Sequence, residues 1–288
     1  MNEKARSYHV EDFSAERRVI STINGLYWQK HCMYGLLEVD VTVSRRFIQD
    51  YKARTGELLS FTGYLVFCLA RAVEENSEVQ AYLKGRKQLV VFDDVDIGLM
   101  VERKMGENHT LMGYVIRGAN HKTYGEIHQE IRSVQSTPAP RGRGMPRWFQ
   151  SAILLPWPLS RLFTALLSMA TSRDPTIFTS MAGTVGISSV GMFSKDQSGW
   201  GLVPSEHALD LIVGSIAWKP AVVEGRIEPR EILNLTVVFD HDLINGGPAT
   251  RFTRRLVELI ESGYGLEEKQ TPTAVDTEAV AARTRVPA

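Results

Sequence analysis

Only two cysteines, Cys32 and Cys68, occur in 288 residues, and they lie far apart in sequence. That excludes a disulfide framework and any cysteine-based metal spacing, and it fits a reducing, cytoplasmic setting. Charge of either sign is not in excess, since Lys+Arg and Asp+Glu both number 33. A neutral chain has no global field to draw nucleic acid or an anionic membrane. The short basic cluster RGRGMPR, Arg141 to Arg147, reads as a solvated loop. Long uninterrupted apolar runs are missing too. The nearest approach, Trp148 to Ala170, is broken by Pro156, Pro158 and Arg161, so no transmembrane segment is expected. The opening residues MNEKARSYHVEDFSAERR are polar and charged and hold no signal-peptide core. No Gly-x-x-x-x-Gly-Lys loop, dinucleotide fingerprint or His-Glu-x-x-His pair is present. With no ligand spacing among them, His109, His121, His128 and His207 read as structural side chains, and no metal is expected.

What is there is enough apolar material for a core, 43% of the chain, arranged as intermixed strands and helices with no linker between them. That pattern predicts one α/β domain. YGLLEVDVTV alternates as a strand, and Ser44 is placed to cap a short helix bearing Phe47, Ile48 and Tyr51. Ser60 opens a second helix, apolar nearly all round from Phe61 to Val73, which predicts deep burial and an inert Cys68. QLVVF and VDIGLMV read as neighbouring strands, followed by LMGYVIRG. Thr123 and Glu126 form a capping box ahead of a helix with Tyr124, Ile127 and Ile131 on one face. After an apolar insert, strands resume in TVGISSVGMF and ALDLIVGSIAW, a hairpin turns near Glu224–Gly225, and ILNLTVVF alternates.

That last strand runs into VVFDHDLINGGPATRF, where His241 sits between Asp240 and Asp242. Pro248 suits the first turn of the helix that follows, whose buried stripe is Phe252, Leu256, Leu259 and Ile260 and which Gly263 ends. A histidine at such a corner, fixed in one tautomer by its neighbours, can accept a proton near neutral pH. A structural histidine closing a strand leaves the same trace. Asp240 and Asp242 read as supporting, loop-bonding carboxylates.

FDHDLINGGPATRF with TRRLVELIESG resembles the end of the catalytic domain of the dihydrolipoyl acyltransferases of 2-oxoacid dehydrogenase complexes, whose motif is His-x-x-x-Asp-Gly. The trimeric chloramphenicol acetyltransferases share that motif. GTVGISSVGMF, VGSIAWKPAVVEGRIEPREILNLTVVFDH, EVDVTV, VDIGLMVE, YVIRGANHKTYGEI and RRVI are similar to further segments of the family, in order, over roughly residues 15 to 265.

The resemblance implies an α/β two-layer sandwich of the chloramphenicol acetyltransferase-like, coenzyme A-dependent type, a mixed sheet with helices packed on it. The expected organisation is an arm at 1–14, a catalytic domain at 15–265 with an apolar insert at 136–174, and a disordered tail at 266–288. It implies that His241 is the general base, that Ser188 (or Ser189, one register away) stabilises the oxyanion, and that the protein is a homotrimer joining His241 of one subunit to Ser188 of the next. Asn245 stands where the family carries aspartate, with Arg18 or Arg17 as its pairing candidate, and Gly246 is assigned a backbone geometry closed to other residues. Coenzyme A or its acyl thioester would be the substrate, with a small thiol, amine or hydroxyl acceptor. No lipoyl domain fits before residue 15, so no covalently attached lipoyl group is expected and a lipoyl or acyl carrier protein would act in trans. A trimeric scaffold without turnover, motivated by Asn245, and a cyclase or condensing enzyme on the same fold are the alternatives. The insert reads as a lid for an acyl chain, a membrane or partner contact, or a hairpin packed on the body.

Overall fold

The computed structural model of the chain describes residues 9–27, 30–105, 108–136, 151–189 and 198–266. Alternation of apolar and polar residues lays down one six-stranded sheet, ordered β1-β8-β7-β6-β4-β5. Its strands are β1 (Cys32–Asp40), β4 (Ile97–Met105), β5 (Asn108–Ile116), β6 (Val185–Ser189), β7 (Leu209–Val223) and β8 (Arg226–Asp240). β6 runs parallel to both β4 and β7, and the other pairings are antiparallel. The mixed α/β sheet with packed helices is the expected architecture.

Directly paired residues share a face of the sheet. On one face Val39, Leu233, Leu235, Val237, Leu211, Val185 and Ile97 are fully buried. Over them lie α2 (Thr42–Thr55), α3 (Phe61–Glu74), α4 (Tyr124–Ser136) and α7 (Gly246–Glu261). α3 packs against both α4 and α7 and is buried on every side from Gly63 to Ala70, as its all-round apolar sequence predicts. α7 buries Phe252, Leu256, Leu259 and Ile260, and the Phe252 ring meets Phe239 edge-on. Gly263 leaves the helix at φ 71°. On the other face the register aligns Gly186 with Asp210 and Val238, and Ser188 with Ile212 and Thr236. This face carries more polar side chains.

Helix starts follow local chemistry. The Ser60 hydroxyl accepts from the Gly63 N–H, and Thr123 and Glu126 exchange hydrogen bonds as a capping box. Ser44 does not cap α2: it lies inside the helix, buried, and its hydroxyl donates to the Val41 carbonyl. QLVVF and VDIGLMV are not sheet neighbours either. β3 (Gln88–Val90) pairs with β2 (Tyr82–Lys84) in a separate two-stranded hairpin.

Beyond the sheet, β7 and β8 continue as a long arm turning at Glu224 (φ 49°) and Gly225 (φ 79°), with Trp218, Val222 and Ile227 largely exposed. Helix α5 (Trp157–Arg173) falls within the expected insert at 136–174, and α6 (Thr176–Ala182) follows just beyond it. Near the chain start lies α1 (Ala15–Tyr27), which carries Arg17 and Arg18. The expected disordered tail, apart from Leu266, falls outside the described residues, and Leu266 itself is buried.

Candidate active site

The turn that carries His241 is held on its backbone. One residue beyond the end of the β1–β8 ladder, the His241 N–H donates to the His31 carbonyl at 2.7 Å. Asp240, buried at the strand's end, donates its N–H to Ala208 and accepts the N–H groups of Leu243 and Ile244 at its carbonyl. Its carboxylate accepts the Asp242 N–H at 3.1 Å and lies 3.6 Å from Lys30 Nζ. Lys30 in turn donates to the carbonyls of Glu206 and His207. Asp242 turns outward, and both its oxygens lie 3.0 Å from His31 Nδ1. The two aspartates therefore build the corner.

Neither aspartate touches the His241 ring, which is exposed and makes no hydrogen bond among the described residues. The expectation that flanking groups fix its tautomer within the chain is therefore not met. Asn245 takes the N-cap position of α7 at φ −84°, ψ 166°, and its side chain caps nothing. Arg18 is exposed and not bonded to Asn245; within the chain the two do not pair. Gly246 is also corrected: its φ is not positive and an added Cβ would meet nothing within 4 Å. Its backbone lies in the first turn of a helix, which any residue can adopt.

Ser188 lies in β6 at intermediate exposure, with Ser189 following it at the strand's end. Register places Ser188 level with Thr236, two strands away and five residues before His241. At about 4.8 Å per strand and about 3.3 Å per residue, the two positions are roughly 19 Å apart within one chain. They cannot act on the same atoms inside a single subunit.

His207, read from the sequence as a structural side chain, is the centre of a buried cluster whose other members were not singled out from the sequence. His207 Nδ1 meets Asp210 Oδ1 at 2.7 Å, and Nε2 meets the Ala182 carbonyl at 3.1 Å. Both partners are acceptors, so both ring nitrogens carry protons and His207 is an imidazolium. The second Asp210 oxygen accepts the Ser205 hydroxyl and the N–H groups of Glu206 and His207. Burial alone would lower the His207 pKa, but the Asp210 charge and hydrogen bond raise it overall. Burial likewise opposes the Asp210 charge, and the His207 cation with four donated hydrogen bonds holds the carboxyl well below its usual range. Gly186 makes room, since an added Cβ would collide with Asp210 and the His207 ring. The signal was present as His-x-x-Asp at the start of a strand, with glycines on the strands beside it.

No group of three metal-ligating side chains occurs among the described residues. A surface groove of about 640 Å³ lined by Asp40, Lys219, Val222 and Glu261 lies beside the hairpin arm and contains neither His241 nor Ser188.

Comparison with known proteins gives this geometry a family. The model of the 2-oxoacid dehydrogenases acyltransferase (catalytic domain) matches residues 27–141 and 158–266. The lipoamide acyltransferase component of the branched-chain alpha-keto acid dehydrogenase complex of Bacillus subtilis is 25% identical over 80% of this chain. The chain spans about half the length of the curated relatives it matches, 46% in that case. Among solved structures, a probable dihydrolipoamide acetyltransferase of Listeria monocytogenes superposes with TM-score 0.63 at 18% identity, covering 90% of this chain and 97% of that one. The dihydrolipoamide acetyltransferase of Azotobacter vinelandii superposes equally well, at TM-score 0.63 and 19% identity, covering 88% and 92%. That structure comes from an investigation of the role of a serine, a histidine and an asparagine in the enzyme's catalytic mechanism. The family model covers β6, which carries Ser188, and β8 with the turn that carries His241, and the chain belongs to the 2-oxoacid dehydrogenase acyltransferase family, of which it carries the catalytic domain.

Proposed function

We propose that the protein moves an acyl group from a coenzyme A or carrier-bound thioester to a small thiol, amine or hydroxyl acceptor, with the site formed between subunits of a homotrimer. The observation that carries this reading is the separation of His241 from Ser188 within one chain, with the His241 ring exposed and without a hydrogen bond among the described residues. A base left open on a fixed turn is complete only when a second subunit brings the oxyanion donor to it. The bare apolar side chains of the β7–β8 arm support assembly in the same way.

In the reaction, His241 takes the proton of the attacking group. For a thiol acceptor, whose pKa of about 8.5 leaves little thiolate at neutral pH, a base is needed. The new bond forms at the thioester carbonyl, whose oxygen becomes the oxyanion, and the Ser188 hydroxyl donates to it. The bond to coenzyme A sulfur then breaks, and the imidazolium returns its proton to the leaving thiolate. Asn245 fits this scheme: in the Azotobacter enzyme the named asparagine also follows the named histidine by four residues. That spacing weakens the case for a scaffold without turnover. A lipoyl or acyl carrier protein acting in trans would deliver the acceptor by an arm that reaches the same turn.

Thiol release from a panel of acyl-coenzyme A donors and acceptors tests the proposal. His241→Ala should lower the rate by about 10²–10⁴, and Ser188→Ala by about 10²–10³. Release that is the same in His241→Ala as in the unaltered protein overturns the reading.

A further inference from the structure

The charge balance of the whole chain hides a local imbalance. Between Glu130 and Asp174 the sequence has six arginines and no acidic residue. Within that stretch, α5 exposes Leu159 (51%), Leu162 (57%), Leu166 (54%) and Met169 (45%). Their spacing of three and four residues sets them along one side of the helix. Arg173 is the next step on the same spacing, so the stripe ends in a cation.

The β2–β3 hairpin adjoins that end. The Gly85 N–H at its turn donates to the Ser172 carbonyl at 2.7 Å. This one bond brings Lys84, Arg86 and Lys87 to the end of α5 that carries Arg173. All four are exposed, and none is ion-paired among the described residues. Asp174, at the C-cap of α5, accepts the N–H and hydroxyl of Thr176 on Oδ1, at 3.0 and 2.6 Å, and its charge acts on Lys84, which leaves the cluster of four cations with a net positive charge. The paired hairpin residues Leu83 and Leu89, 45% and 55% exposed, add apolar surface on one face.

We infer that α5 and the β2–β3 hairpin form a docking face for an anionic phospholipid surface. A row of half-exposed leucines ending in a basic cluster is the chemistry of a segment that lies in the headgroup region, with side chains entering the acyl boundary and cations meeting phosphates. α5, about 25 Å long, lies along the surface, since no helix among the described residues is long and apolar enough to cross a membrane. A second copy of the chain fits less well. The stripe offers a few hundred Å² of apolar surface, short of the roughly 800 Å² per partner of a stable dimer, and two such faces would set like charges together.

The test is sedimentation of the full chain with vesicles of phosphatidylcholine, with and without added phosphatidylglycerol. The protein should pellet with the anionic vesicles only, and less so as salt rises. The triple variant Lys84→Glu, Arg86→Glu, Lys87→Glu should bind on the order of a hundredfold more weakly. Leu162→Ser with Leu166→Ser should weaken binding while its salt dependence persists. All five side chains are exposed, so circular dichroism should match the unaltered protein; should the leucine variant misfold, the charge variant decides. No binding to anionic vesicles, or unchanged binding by the charge variant, overturns the inference. So does light scattering in which the leucine variant breaks an oligomer, because the stripe would then join copies. His241→Ala should bind the same vesicles as the unaltered protein, which separates this face from the acyl-transfer reading.

Discussion

At the scale of single residues, the most consequential group outside the proposed chemistry is the buried His207–Asp210 pair. Its contribution to stability has a defined pH window. The His207 pKa is raised on folding, so its share is full below the unfolded value of about 6.5 and is lost as pH rises through the folded value. The Asp210 pKa is lowered, so its share is full above about 3.9 and is lost as pH falls through the folded value. The pair stabilises most between those limits. Thermal melts should therefore show a higher midpoint near pH 6 than near pH 9, and His207→Gln should flatten the difference. Asp210→Asn strands a buried cation and should cost about 3–5 kcal/mol near pH 6, measured by urea unfolding. The cysteines give a second check. Burial pushes the Cys68 thiol up to about 12, while Cys32 is half-buried at the start of β1. A thiol reagent should label Cys32 in the folded protein and reach Cys68 only after unfolding. Sequence reading anticipated the inert Cys68 from its apolar helix. It did not find the His207 pair, because a histidine among Ser205, Glu206 and Asp210 looks the same whether those groups face water or one another.

At the scale of elements, the regular parts were legible because their signals are local. The α4 capping box, the Ser60 cap, the stripe of α7 and the turn at Glu224–Gly225 each occupy a few consecutive residues, and each was found where the spacing placed it. Pairing is not local. QLVVF and VDIGLMV are close in sequence, and only their hydrogen bonds reveal that β3 folds back on β2 while β4 joins the main sheet between β6 and β5. The close packing around β6 was also invisible. An added Cβ on Gly98 would collide with the Ala182 carbonyl, and one on Gly186 with Asp210. Strand, helix end and ion pair thus share one site, and a glycine on each of two neighbouring strands keeps it open. Gly186→Ala should displace Asp210 and destabilise the protein by about 1–3 kcal/mol. Because Ser188 is two residues along the same strand, on the same face, the variant should also lower the acyl-transfer rate. A control at Gly246, where an added Cβ meets nothing, separates packing from motif: in a single chain Gly246→Ala should leave the unfolding midpoint almost unchanged.

At the scale of the whole molecule, the decisive question is where an active site is completed. The sequence motif named His241 and Ser188, and the sheet register sets them roughly 19 Å apart, a distance no side-chain rotation spans. If each site takes His241 from one subunit and Ser188 from the next, two inactive variants should repair each other. In a cyclic trimer assembled from equal amounts of His241→Ala and Ser188→Ala chains, about three quarters of the assemblies are mixed. Each mixed ring has one interface at which the intact histidine of a Ser188→Ala subunit faces the intact serine of a His241→Ala subunit. One site in three is then whole, and the mixture should recover about a quarter of the unaltered activity. Each variant assembled alone should recover none. Co-expression with two affinity tags isolates the mixed rings, in which recovery should rise to about a third. A site made within one chain predicts no recovery at any mixing ratio, because every chain then lacks one of its two groups. The same experiment tests the order of assembly: full-length chains mixed only after folding should regain activity no faster than subunits exchange, so the time course of recovery reports how firmly the trimer is held.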